Sequence, residues 1–161
     1  MNYRIVHEGD PLSVSIEWTR HRFWKNGHVN AHPEEHLINL YMIVGCFGSS
    51  RSVLYIGKAY QQYASRRLSQ SDHIKKWRML RRKYSRHKLM VSFGVAKFAG
   101  YSCTARRIDT AESVLIYANW NDRLINSKKI YGFSIRGQVR LTNAGYYRPL
   151  HRECFHGTVV H

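Results

Sequence analysis

Acidic residues are scarce in this chain. Only 10 of its 161 residues are Asp or Glu, against 26 Lys or Arg, which gives a formal charge of +16. That imbalance predicts a polyanionic partner, because basic side chains that neutralise phosphates release condensed counterions. Cysteine is scarce too. Cys46, Cys103 and Cys154 are far apart and odd in number, which argues against a disulfide framework and suits a reducing, cytoplasmic compartment. No run approaches the ~20 apolar residues that a membrane span needs. Residues 1–10 carry His7, Glu8 and Asp10 and no apolar secretory segment. Neither terminus offers an amphipathic basic helix with a Leu/Phe face, so nucleic acid is the expected polyanion and a membrane surface is not. There is no repeat, linker or low-complexity stretch, and 161 residues predict one domain.

What is present is 43% hydrophobic, enough for a core. Leu12, Val14, Ile16 and Trp18 alternate with polar residues and predict a half-buried strand. Residues 19–36 are polar, basic and His-rich and read as a loop, with Pro33 blocking a long helix. Strands over 38–44 and 53–57, joined by the turn-like GCFGSSRS, predict an antiparallel hairpin. A short helix is expected over 61–70. A second, over 73–87 and capped by Ser71 or Asp72, would bury Ile74, Trp77, Leu80 or Arg81, and Tyr84. Leu89–Ala96 reads as a further strand, and Asp109–Arg123 as a helix with Ala111, Val114, Leu115 and Ala118 on one face. Short alternating runs follow at Phe133–Ile135 and Val139–Leu141.

Several residues carry potential chemistry. Tyr41 and Tyr55 sit on the hairpin strands, where tyrosine is commonly core filler. Both also lie close to Lys58 and upstream of Arg67, and adjacent cations would favour a phenolate able to take a proton from water. Gly57-Lys58 ends a strand either as an ordinary glycine with a solvated lysine or as a point of close phosphate approach. Residues 66–88 hold ten Lys/Arg against the single acid Asp72. Like charges so crowded destabilise an isolated helix, which points to a phosphate-facing stripe of Arg66, Lys75, Lys76, Arg78, Arg81, Arg82, Lys83 and Arg86. Glu112 fits a capping box begun by Asp109, or else a magnesium site, which commonly needs one protein carboxylate with water and phosphate oxygens around it. His28, His32 and His36, and separately His151, Cys154 and His156, are weaker zinc candidates because neither set has a paired CxxC spacing.

In order and spacing, these residues resemble the GIY-YIG nuclease superfamily over roughly residues 38–130. Leu40-Tyr41-Met42 stands at the GIY place and keeps only its tyrosine, whereas Tyr55-Ile56-Gly57 is an intact YIG. Lys58 follows where members often carry Lys, Ser or His. Arg67, followed by Leu68, matches the catalytic arginine, with Arg66 the alternative. His73 resembles a histidine found after that arginine in some members. Glu112 matches the metal-binding glutamate, and Asn126 the asparagine that closes the motif. The resemblance implies an α/β fold of the α+β type, a small central antiparallel sheet flanked by helices. In it, 38–130 form the catalytic core of a single domain, with 1–37 and 131–161 as flanking extensions. It also implies hydrolysis with one Mg²⁺ or Mn²⁺ held by Glu112. Tyr41 would act on the attacking water with support from Tyr55, and Lys58 and Arg67 would bind the scissile phosphate.

The expected function is therefore a metal-dependent endonuclease acting on double-stranded DNA, compact and similar to a type II restriction enzyme. The competing expectations are a structure-specific repair or recombination nuclease and a non-catalytic nucleic-acid-binding module of the same fold. Cutting both strands of a palindrome predicts a homodimer on DNA. The flanks would form its interface, with aromatics and histidines between Trp18 and His36 and the Tyr146-Tyr147-Arg148 segment as candidates.

Overall fold

The computed structural model of the protein describes residues 11–127 and 137–157. Its elements run β1 (Leu12–Trp18), β2 (Arg22–Phe23), β3 (Leu40–Phe47), β4 (Ser50–Lys58), α1 (Ala64–Leu68), α2 (Ser71–Lys83), β5 (Lys88–Phe98), α3 (Ala105–Ala118), β6 (Val139–Gly145) and β7 (Glu153–His156). The fold is mixed α+β. One seven-stranded sheet has the order β4-β3-β5-β1-β6-β7, with β2 paired to β5.

The expected small antiparallel sheet is corrected in two respects. The sheet draws strands from both flanks as well as from the middle of the chain, and β1 runs parallel to β6, from Leu12 opposite Val139 to Trp18 opposite Gly145. Alternating hydrophobicity identifies a strand without giving its direction. Here the whole motif lies between the two strands, and a connection of that length permits parallel pairing. Trp18 and Trp24, candidates for an exposed interface, are core residues at 1% and 2% exposure. Phe23 and Tyr146 of the same candidate regions are exposed. The Phe133–Ile135 run lies outside the described residues.

Two hydrophobic clusters cover the two faces of the sheet. Leu40, Met42 and Val44 of β3 join Ile108, Ala111, Val114 and Leu115 of α3, together with Leu141 and Cys154. Tyr41 and Ile43, the alternate residues, join Ala64, Leu68 and Leu80 of α1 and α2, with Trp24. Since both faces are covered, β3 is buried from Leu40 to Gly45 and does not alternate as a one-sided strand would. The presumed loop at 19–36 contains β2 and a tight Asn26-Gly27 turn that rests on α2. A Cβ on Gly27 would come within 2.8 Å of Ile74, and Trp77 Nε1 donates to the Trp24 carbonyl at 3.0 Å.

Helix α3 starts earlier and stops earlier than its sequence pattern suggests. Thr104 is its N-cap and accepts from the Arg107 amide at 3.3 Å. This removes the capping-box reading of Glu112, which lies two turns inside the helix. The helix ends at Ala118 because Asn119 Nδ2 bonds back to the Leu115 carbonyl and Asn121 Oδ1 caps the Arg123 amide; short amide side chains compete with helical bonding in this way.

Two features of β4 position the site. Its register against β3 shifts between Ile43/Tyr55 and Val44/Val53, so Leu54 is an extra residue. Tyr55, paired with Ile43, faces the same side of the sheet as Tyr41, and the bulge brings its neighbour Leu54 to that side too. β4 is also an edge strand, and the chain after α3 closes that edge. The Ile125 amide donates to the Leu54 carbonyl at 2.8 Å, and the Asn126 side chain both accepts from the Ile56 amide at 3.0 Å and donates to its carbonyl at 2.8 Å. Asn126 thus stands in for a neighbouring strand. Asn126→Ala is expected to lower unfolding stability by ~1–3 kcal/mol, the cost of leaving buried polar groups unpaired. Urea titration should show a lower midpoint at unchanged slope.

Candidate active site

An open cleft of about 860 Å³ lies at the β4 edge of the sheet, bounded by the start of α2 on one side and by α3 on the other. Of the seven expected catalytic residues, Tyr41, Tyr55, Lys58, Arg67, Glu112 and Asn126 line it. The seventh, His73, is fully buried behind Tyr41, whose hydroxyl lies 2.6 Å from its Nε2. Residues up to 85 positions apart in sequence thus meet because β3, β4, α1, α2 and α3 all reach one edge of the sheet.

Gly57 is needed for this arrangement. It sits directly opposite Tyr41 in the hairpin, and the Tyr41 ring lies over it. A Cβ at this position would fall 2.5 Å from the Tyr41 hydroxyl and 2.8 Å from Tyr55 Cε1. The space expected to admit a phosphate is therefore occupied by the two tyrosines, and a side chain at 57 would displace both. Their ring centroids are 6.1 Å apart, and each lies edge-on to the His73 imidazole.

Asp72, read from sequence only as a possible cap, connects the cations of the cleft. Arg67 grips it with two parallel bonds of 3.1 Å. Its Oδ2 is also 3.1 Å from His73 Nδ1, though off the ring N–H direction, and 3.5 Å from Lys76 Nζ. Partial burial alone would raise the Asp72 pKa, but His73 and Arg67 together hold it well below the usual carboxylate range. On the opposite wall Lys58 pairs with Asp109 and lies 4.0 Å from Glu112 Oε2. Asp109 is one helical turn before Glu112, so the two carboxylates share a face of α3. Neither Asp72 nor Asp109 figures in the motif. The one signal available in sequence was their rarity in so basic a chain.

The expectation that cations would favour a Tyr41 phenolate is reversed. Burial raises the Tyr41 pKa well above 10, with Tyr55 and Glu112 adding to the rise and Arg67 opposing it. Tyr55 is raised as well, by burial and then by Glu112. Arg67 pulls both tyrosines down, but burial outweighs it. Burial lowers His73 to about 4, against an opposing pull from Asp72. The imidazole is then neutral at pH 7, and in the tautomer that carries its proton on Nδ1, the nitrogen near Asp72, Nε2 accepts the Tyr41 hydroxyl proton.

The basic stripe divides into three. Lys75, Arg78, Arg82, Lys83 and Arg86 are exposed on α2 or just beyond it. Lys76 turns into the cleft, 5.2 Å from the centroid of the Tyr55 ring. Arg81 is half-buried and donates to the His87 carbonyl at 2.7 Å, so its first role is to hold the end of α2. Arg66 is exposed and faces a neighbouring cavity, whereas Arg67 faces the cleft. Among the described residues, no group of three or more His, Cys, Asp or Glu side chains has metal-holding geometry. Cys154 is buried, with the Asn119 amide at 3.8 Å from its sulfur. All three cysteines are unpaired. No helix among the described residues is long and apolar enough to cross a membrane.

Compared with known proteins, the chain matches no family model, no curated protein and no solved structure.

The depressed His73 pKa predicts a specific acid sensitivity. Above pH 6.5 the imidazole is neutral in both folded and unfolded chains and contributes nothing. Between pH 6.5 and about 4 the unfolded chain binds a proton that the native one does not, so stability falls with pH over that window. The loss should be roughly 2–3 kcal/mol, and it should largely vanish in His73→Gln. Urea unfolding at pH 7 and pH 4.5 for the two proteins measures it; equal losses in both would show that His73 is not the group responsible.

Proposed function

We propose that the protein is a divalent-metal-dependent DNA endonuclease, similar to type II restriction enzymes. The observation that carries this reading is the convergence of two tyrosines, a lysine, an arginine and a nearly buried glutamate, from four separate elements, on one cleft. Each suits one part of phosphodiester hydrolysis, and their order along the chain is that of the GIY-YIG motif.

The fit of Mg²⁺ or Mn²⁺ can be judged from the donor set. Glu112 and Asp109 present carboxylate oxygens on one helix face, the donor type hard divalent cations select, and the Lys58 ammonium already lies against this pair. Glu112, with Asp109 a turn away, would hold the ion, which when bound supplies Lewis-acid stabilisation at the leaving oxygen. The chain itself handles the proton. Tyr41 is too weakly acidic to serve as a phenolate base, so it receives the proton of the attacking water while passing its own to His73 Nε2. Asp72 beside Nδ1 favours the imidazolium so formed. Arg67 and Lys58 would exchange their carboxylate partners for the scissile phosphate, and Tyr55 bounds the space where water is held.

Double-stranded DNA would lie across the exposed basic residues of α2, whose phosphate contacts carry no sequence information. Cutting both strands calls for a second copy of the chain on the site, for which exposed Phe23 and Tyr146 are interface candidates. The three free thiols suit a cytoplasmic setting.

Plasmid incubated with Mg²⁺ should be cut by the wild-type protein and remain intact in EDTA. Glu112→Gln, which keeps the shape and removes the charge, should lose at least ~100-fold in rate, the scale for removing one transition-state contact. Its DNA affinity in EDTA should be unchanged. Cleavage by Glu112→Gln at the wild-type rate would sink the assignment. Separately, neutralising Lys75, Arg78, Arg82 and Arg86 together should weaken binding to all sequences alike. The slope of log K against log salt should flatten by ~0.9 per lost contact, and an unchanged slope would put the DNA on another face.

A further inference from the structure

A second cavity of about 760 Å³ adjoins the cleft across the loop from β4 to α1. Tyr60 and Gln62 line both and stand between the two spaces. The second is distinctly apolar and aromatic. Tyr63 and Leu37 line it while remaining 56% and 47% exposed. Gln61, between the two shared residues, holds a left-handed φ of 60°, a strained conformation for a residue with a side chain. Its charged lining is Arg66, Lys97 and the buried Glu35, whose carboxylate accepts from the Ser65 amide at 2.6 Å. Adjacent residues of α1 serve different cavities, Arg67 the cleft and Arg66 the second space.

An occupant of this space has to offer a flat apolar face to tyrosine and, beside it, an anion to arginine. A nucleotide has both. We propose that the second cavity receives an unpaired nucleobase from the strand whose phosphate lies at Arg67, stacked on Tyr63 and Tyr60, with its own phosphate at Arg66. This rests on the nuclease reading and extends it, since it makes the substrate a strand with a base outside the duplex stack. Base–aromatic stacking tolerates any sequence because every base has a π-face, so the cavity would sense structure and not sequence. The base has two possible sources, a single-stranded extension or a nucleotide extruded from duplex.

The test uses the full chain in EDTA, where no cleavage occurs, with ten-nucleotide strands each carrying one abasic position. For the wild type, one position should matter above the rest, its abasic form binding about 5- to 100-fold more weakly, the range expected for one stacked base. Tyr63→Ala should erase that difference and Tyr63→Phe should keep it. Tyr63 is exposed and makes no side-chain cap bond to α1, so folding should be unaffected. Arg66→Ala should weaken intact and abasic strands equally. With 2-aminopurine at the sensitive position, fluorescence quenching by the protein in a duplex identifies an extruded base, and quenching in single strands alone identifies an extension; either supports the proposal. Uniform binding across the abasic series, or a difference that survives Tyr63→Ala, overturns it while leaving salt-dependent DNA binding in place. No DNA binding at any salt concentration would overturn the nuclease reading as well.

Discussion

The packing of Tyr41 against Gly57 sets most of the remaining structure of the site. Tyr41 is on a central strand and 1% exposed, yet its hydroxyl reaches across to His73 on α2. That reach is possible only because the residue opposite it in the hairpin has no side chain. The same ring fixes where α2 starts relative to the sheet, since His73 is itself fully buried and lies in the first turn of that helix. A buried hydroxyl–imidazole pair costs little when both partners are satisfied, and ~1–3 kcal/mol when one is lost. The pair therefore ties the start of α2 to the hairpin, alongside the apolar cluster that holds Leu80 and Trp77. The bulge at Leu54 completes the geometry by bringing Leu54 to the same side as Tyr55. A regular β4 would keep Tyr55 on this side and send Leu54 to the opposite face, out of the cluster it shares with Leu68 and Leu80.

Charge in the cleft is balanced in a way the composition conceals. Lys58, Arg67 and Lys76 share it with Asp72, Asp109 and Glu112. Without substrate the cations have carboxylate partners, which keeps three positive groups from repelling one another inside a partly desolvated space. Partly exposed pairs of this kind are worth ~0–1 kcal/mol each, so an entering phosphate can take a cation at small cost. Release of Arg67 from Asp72 would leave the carboxylate beside His73 Nδ1. In the proposed mechanism, phosphate binding and proton acceptance would thus be coupled through one side chain, with no conformational change beyond the arginine.

Much of this was legible in the sequence, for identifiable reasons. The hairpin, both α2 and β5, and the buried face of α3 follow from periodicity and turn chemistry that local contacts obey. The six motif residues that meet at the cleft were found because each is a chemically distinctive type in a fixed order. What was missed depended on non-local pairing. The parallel β1–β6 pairing joins opposite ends of the described chain and leaves no mark in alternation. The bulge at Leu54 reads in sequence as an ordinary strand. Asp109 suggested a cap because the true start of α3 carries Arg106 and Arg107, an unfavourable pair for a helix N-terminus, and because Thr104 lies outside the apolar period. The direction of the Tyr41 pKa was misread because sequence displays nearby cations but not the depth of burial that outweighs them.

The two scales of charge divide the work of recognition. At long range the +16 chain attracts any polyanion, and the exposed lysines and arginines of α2 point that attraction at one face. At that range nothing distinguishes one nucleic acid from another, because phosphates repeat regardless of sequence. Inside the cleft the balanced charges attract weakly, so on the proposed reading entry would depend on exchanging specific partners: a phosphate for Asp72 at Arg67, a cation for Lys58 at Glu112. A strongly positive cleft would hold every phosphate it met, product included. If the polyanion is a nucleic acid, as proposed, this balance would let a chain so basic bind broadly and still let go, and selectivity would have to come from groups that sense something other than phosphate. On the present surface, those beside the cleft are the exposed tyrosines.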